Sequence, residues 1–173
     1  MIAFHTCEKN GQEEYKAPFL SEANNQWLTQ GYYFWTDSDY FAKKWGESHY
    51  KERRIEYCIM KFTLSFKETE LLDLVGNVDH KIKFSSIYKK ITTNLKVDSL
   101  PFGDVIQYMR DFENRIPGAF SYKAIKSEDN RTLDLIRIPV VKGAKEKVSI
   151  GPTRQQLCVF ENCYTFPQGE IYE

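Results

Sequence analysis

The run Gly31-Tyr32-Tyr33-Phe34-Trp35 constrains this chain more than any other segment. Consecutive aromatic side chains favour a pleated, half-buried strand, and the glycine ahead of them frees the backbone at its start. Thr36, Asp37, Ser38 or Asp39 can then cap a helix. The apolar stripe of Tyr40, Phe41, Trp45 and Tyr50 predicts that this helix runs to about Tyr50. A strand that turns into a helix with aromatic faces on both makes a surface suited to a flat, electron-poor ring.

Elsewhere the pattern predicts strands at residues 2–7, from Arg54 to Phe66, from Leu71 to Val75, from Leu133 to Val141 and from Gln156 to Phe160. Residues 8–30 are polar, contain Pro18, and read as an irregular or partly helical connection. Ile87, Ile91 and Leu95, then Val105, Ile106, Met109 and Phe112, recur at helical spacing and predict helices over about 79–94 and 102–114. Pro117-Gly118 stops the second of these, and Pro139 places the strand that contains it at an edge or a bulge. No repeat or heptad is present. Strands at both ends with helices between them predict an α+β fold, and 173 residues suit one domain that buries roughly two-thirds of the surface of its unfolded chain.

Lysine plus arginine and aspartate plus glutamate number 24 each, so no net field draws the whole molecule to nucleic acid or an anionic membrane. Arg53-Arg54, Lys89-Lys90 and Lys142 to Lys147 are local basic clusters of the kind that usually form solvated surface. Cys7, Cys58, Cys158 and Cys163 include no Cys-x-x-Cys pair, and with three histidines the spacing of a zinc site is missing, so no metal is expected. Cys58 and Cys158 lie in apolar runs and are expected in the core. With no signal peptide and no apolar stretch near the roughly 20 residues of a membrane span, a cytoplasmic protein with reduced thiols and no membrane partner is expected.

Taken singly, His5 on a short strand, Tyr33 and Trp45 beside apolar neighbours, and Gln156 at a strand start are each ordinary structural residues. Their order along the chain is not ordinary. Phe4-His5-Thr6, then Gly31-x-Tyr33-Phe34 followed by a helix, then Gln156-Leu157-Cys158-Val159 resemble the three-part signature of the histidine-tyrosine-glutamate class of NAD-dependent ADP-ribosyltransferases. That class includes the poly(ADP-ribose) polymerases and many bacterial toxin-like relatives. The chain is similar in particular to a bacterial group with an Asn-x-x-Trp-Leu-x-x-Gly-x-Tyr-Phe-Trp segment, matched here by Asn24, Trp27, Leu28, Gly31, Tyr33, Phe34 and Trp35. Weaker similarity continues at Leu72-Asp73-Leu74, at Asp134-Leu135-Ile136-Arg137 and at Asn162.

The resemblance implies a single ADP-ribosyltransferase-like domain over residues 1–173, with a split antiparallel sheet and flanking helices. It implies that NAD is the co-substrate, with His5 on a ribose hydroxyl and the backbone of Thr6 on the nicotinamide carboxamide. Tyr33 and Trp45 then wall the nicotinamide ring, with Tyr40 and Tyr32 as further aromatic candidates. His5, Tyr33 and Gln156 take the catalytic positions. Two departures matter: Thr6 stands where the family usually has glycine, and Gln156 stands where it usually has glutamate, so the third side chain carries no charge and cannot act as a general base. The activity implied is transfer of ADP-ribose to a macromolecule, whether RNA, DNA or protein, by a toxin or anti-phage effector held in check by an antitoxin. A non-catalytic NAD- or ADP-ribose-binding or partner-binding module and an NAD glycohydrolase are the alternatives. No phosphate loop, Gly-x-Ser-x-Gly elbow or His-Glu-x-x-His pair competes with this constellation.

Overall fold

A computed structural model of the chain describes residues 1–9, 17–132, 136–143 and 145–173. In chain order its elements are β1 (Ile2–Glu8), β2 (Leu20–Ser21), β3 (Gly31–Thr36), α1 (Tyr40–Trp45), β4 (Tyr57–Thr63), β5 (Leu71–Asp73), α2 (Val78–Leu95), α3 (Phe102–Arg115), β6 (Ala124–Thr132), β7 (Ile136–Pro139), β8 (Lys147–Ile150), β9 (Thr153–Val159) and β10 (Glu170–Ile171). Eight strands form one sheet in the order β10, β4, β1, β3, β9, β6, β5, with β2 added to β3. β7 and β8 pair as a separate ribbon. The mixed α+β class and the flanking helices are as expected. One pair departs from the antiparallel pattern: β5 and β6 run parallel. Parallel neighbours need a long crossover, and here it contains α2 and α3.

Local chemistry accounts for the boundaries. The helix after β3 is α-helical only to Trp45; residues 46–50 widen into a π turn and residues 51–53 tighten into a 3₁₀ turn. Gly46 sits where a Cβ would lie 2.1 Å from the Tyr57 ring, so the turn packs directly on β4. Arg54 closes the turn in the left-handed region at φ 60°, which is why β4 begins at Tyr57 rather than Arg54. α2 begins where the Asn77 side chain accepts the His80 N–H at 3.0 Å, a one-residue difference from the expected start. β6 was not expected, because Lys126-Ser127-Glu128-Asp129 shows no apolar alternation. Its place comes instead from pairing on both sides, with β9 and with β5. The strand expected from Leu133 to Val141 lies partly outside the described residues. Its remainder, β7, pairs with β8 and ends at Pro139, which has no N–H to give the ladder.

The two faces of the sheet carry different cores. On one, Leu72, Ile106, Ile125, Cys158 and Phe160 pack under α2 and α3; on the other, Ala3, Phe34, Phe62, Leu157 and Val159 pack against Tyr164 and Phe166. Cys58 and Cys158 are buried as expected. No helix among the described residues is long and apolar enough to cross a membrane. The central feature is a divergence: β1 and β3 pair only at Ala3–Thr36 and Phe4–Trp35, and β2 occupies the edge of β3 at Gly31 and Tyr32. Gly31 is needed here, since a Cβ would lie 2.5 Å from Cys158 Sγ and 2.6 Å from the Val159 carbonyl oxygen. Gly31→Ala is expected to lower unfolding free energy by about 1–3 kcal/mol through overpacking, measured by denaturant melts.

Candidate functional site

Where β1 and β3 part, the His5 imidazole takes the place of a ladder hydrogen bond. Its Nδ1 lies 2.8 Å from the Tyr33 carbonyl oxygen, which can only accept, so Nδ1 carries the proton. The Phe19 N–H donates to Nε2 at 3.3 Å. The ring is therefore neutral with Nε2 as acceptor, and burial pulls its pKa down to about 4 despite the opposing effect of the Tyr33 carbonyl. Next to it, Thr6 turns its backbone into the opening. Ile59, opposite Thr6, gives its N–H to Glu173 at 2.7 Å and accepts from Tyr172 at 2.8 Å on the far side. Since backbone direction alternates between paired residues, the N–H and C=O of Thr6 point away from β4 and toward β3. The Thr6 hydroxyl does not obstruct them, because it donates to the Ala42 carbonyl of α1 at 3.0 Å.

This opening is part of a cleft of about 600 Å³ lined by His5, Thr6, Phe19, Ser21, Gln26, Trp27, Tyr33, Trp35, Trp45, His49, Tyr50, Asp129, Arg154 and Gln156. Its size falls within the range of small-molecule sites, roughly 300–1,000 Å³. Gln156 lies opposite Trp35 in the β3–β9 ladder. Its Oε1 accepts the Trp27 indole N–H at 2.6 Å, so the amide presents its N–H donors to the remaining space. Trp27 is itself held by the contact of its loop with α3. A Cβ at Gly103 would lie 2.4 Å from the Gln26 carbonyl oxygen, and the Thr29 hydroxyl donates to Gln107 at 2.8 Å.

Five of the seven residues singled out in the sequence, His5, Thr6, Tyr33, Trp45 and Gln156, line this one cleft. Tyr40 does not; its ring packs edge-on against Phe41 at 5.1 Å. Tyr32 points to the opposite face, against Phe166. Tyr33 has a structural duty as well. Its phenol donates to the Thr29 carbonyl at 2.7 Å and accepts the Leu28 N–H at 3.0 Å, and burial holds its pKa above the ordinary phenol range.

Sequence reasoning missed Trp35, His49, Asp129 and Arg154 as cleft residues. His49 stacks on Trp45 at 4.6 Å and 11°, and Trp45 lies 6.3 Å from Trp35, so the aromatic wall has three members. The signals for His49 and Arg154 were available: His49 follows Trp45 by four positions in the expected helix, and Arg154 precedes Gln156 by two, on the same strand face. Asp129 gave none, because β6 carries no legible pattern. Burial, then the nearby Arg53, lowers the His49 pKa, which keeps this part of the wall neutral. Among the described residues, no group of three or more histidine, cysteine or acidic side chains is placed to hold a metal ion.

One relative matches over most of the chain: MJ0359, an uncharacterized protein of Methanocaldococcus jannaschii, is 31% identical over 163 residues, covering 84% of this chain and 69% of its own length. The chain belongs to the family of this archaeal protein. No protein-family model matches the chain, and no solved structure matches it.

Two measurements test the site's construction. Because the folded pKa of His5 is about 4 against an ordinary 6.5, the unfolded state binds the extra proton first. Stability is therefore full above pH 6.5 and falls as pH drops toward 4, by up to roughly 3 kcal/mol from this residue. Comparison of denaturant melts across that window with those of His5→Gln, which cannot titrate, should isolate the slope. Tyr33→Phe should cost about 1–3 kcal/mol by stranding the Leu28 N–H and the Thr29 carbonyl, while the ring remains in the cleft. An unchanged melting temperature would show that these bonds carry no weight.

Proposed function

We propose that the chain is an NAD-dependent mono-ADP-ribosyltransferase of the histidine-tyrosine-glutamate class, with glutamine at the third position. It transfers ADP-ribose to a macromolecule, RNA, DNA or protein, as a cytoplasmic toxin-antitoxin or anti-phage effector. The observation that carries this reading is that three distant segments, His5-Thr6, Tyr33 and Gln156, meet in one cleft at the place where β1 and β3 part. In this reading the nicotinamide carboxamide exchanges hydrogen bonds with the N–H and C=O of Thr6, and its ring lies against Tyr33 and Trp45. A ribose hydroxyl displaces the Phe19 N–H as the donor to His5 Nε2, whose tautomer suits an acceptor role. Gln156 donates to a ribose oxygen and orients the sugar as its bond to nicotinamide breaks.

A second reading, an NAD- or ADP-ribose-binding module without turnover, draws on one observation. Trp27 occupies Gln156 Oε1, so the side chain turns the positive end of its dipole to the sugar. That arrangement orients a ribose but does not stabilise a cation developing on it.

Incubation of the purified chain with labelled NAD and cell extract, with nuclease and protease controls, separates the outcomes. Labelled macromolecules support the transferase, free ADP-ribose supports an NAD glycohydrolase, and bound but unconsumed NAD supports the module. Gln156→Ala is expected to lower turnover up to about tenfold, the weight of one neutral hydrogen bond, with less effect on NAD affinity. Gln156→Glu should match or exceed wild type if charge on the sugar limits the rate. Near-background NAD consumption by all three proteins would reject the enzyme.

A further inference from the structure

We propose that Asp129 is the general base of the cleft, taking the proton of the acceptor as ADP-ribose is transferred to it. The inference rests on the transferase reading and adds to it the carboxylate that Gln156 does not supply. Asp129 is the one acidic side chain lining the cleft among the described residues. It lies on β6 directly opposite Arg154, while Gln156 pairs with Ser127, so Asp129 is two residues along the same face from Gln156, about 7 Å of strand. The β6–β9 register shifts immediately after Asp129, the kind of irregularity that re-aims a side chain beside an active site.

Arg154 is one of the groups that orient the carboxylate. Its Nη1 stands 3.5 Å from Asp129 Oδ2, and its guanidinium lies over the Trp35 ring at 5.7 Å. The other basic group next to Gln156, His5, already has both ring nitrogens engaged. The acceptor therefore approaches from the Arg154 side, with the sugar carbon beside Gln156. In the step, the bond between the ribose anomeric carbon and the nicotinamide nitrogen breaks, and its electron pair returns to nicotinamide as the neutral base. An oxygen or nitrogen lone pair of the acceptor forms the new bond to that carbon, and the acceptor's proton passes to Asp129 and then to water. NAD and acceptor give ADP-ribosyl acceptor, nicotinamide and one proton.

The test uses the full chain, NAD labelled in its adenine half, and whole-cell extract as the source of acceptor. Nicotinamide release is read beside macromolecular label, and NAD affinity is read from tryptophan quenching. Asp129→Asn and Asp129→Ala should lose activity by about 100-fold or more, the usual weight of a general base, with NAD affinity retained. Sodium formate should restore part of the activity of Asp129→Ala, and Asp129→Glu should retain more than Asp129→Asn. Arg154→Gln, which removes the ion pair but keeps the carboxylate, should lose far less. Wild-type activity in Asp129→Asn would overturn the inference alone. Equal losses in Asp129→Asn and Arg154→Gln, with lowered melting temperatures and no formate rescue, would reduce the pair to a structural contact. A wild-type protein that consumes no NAD would remove the transferase reading and this inference with it.

Discussion

The hydrogen bond from His5 Nδ1 to the Tyr33 carbonyl is the constraint on which the site depends. Continued from Phe4–Trp35, an antiparallel ladder would next join Thr6 to Tyr33 and close the sheet. The imidazole instead satisfies the Tyr33 carbonyl from the side, so the strands separate without stranding that acceptor, whose burial unpaired would be costly. Thr6 keeps its place on β4, and its backbone polar groups become available to a ligand. The same bond fixes the histidine tautomer, so opening the sheet and preparing the acceptor nitrogen are one event.

Among the described residues, the cleft combines neutral polar and aromatic groups with the Asp129–Arg154 ion pair. Aromatic faces, a neutral histidine, a neutral amide and peptide groups line most of it, and Asp129 and Arg154 pair with each other in the same lining. The amide is not loose: α3 grips the loop of residues 26–29, the loop presents Trp27, and Trp27 orients Gln156. α3 contributes no residue to the cleft lining, yet through Gly103 and Gln107 it sets which end of the Gln156 side chain faces inward.

Much of this was legible in the sequence. The apolar spacing of Ile87, Ile91, Val105, Ile106 and Met109 located α2 and α3 to within a residue, and the aromatic run located β3, because burial on one face leaves a periodic record. The sequence order of His5, Tyr33 and Gln156 brought together residues that the fold places in one cleft. β6 was illegible for the complementary reason: its outer half is polar and is held by backbone pairing rather than by an apolar face, so Asp129 came with no warning. Tyr40 failed differently. It lies on the expected helix, but the helix phase turns it toward Phe41 rather than the cleft.

The ribbon of β7 and β8 has a separate consequence. Ile136, Ile138, Val148 and Ile150 lie on one face of it and are all about half exposed, so the ribbon is held by its own strand pairing and not by either core. Isolated two-stranded ribbons are marginal in water. Amides of residues 136–138 and 147–150 are therefore expected to exchange with solvent through a local opening of small free energy, and those of the buried Leu157, Cys158 and Val159 only with the global transition. Two residues separate the ribbon from β9, so the chain passes from an exposed arm to the buried residues 157–159 across Arg154 and Gln156. Arg154 and Gln156, which line the cleft, thus lie on the stretch of chain that joins the exposed ribbon to the buried end of β9.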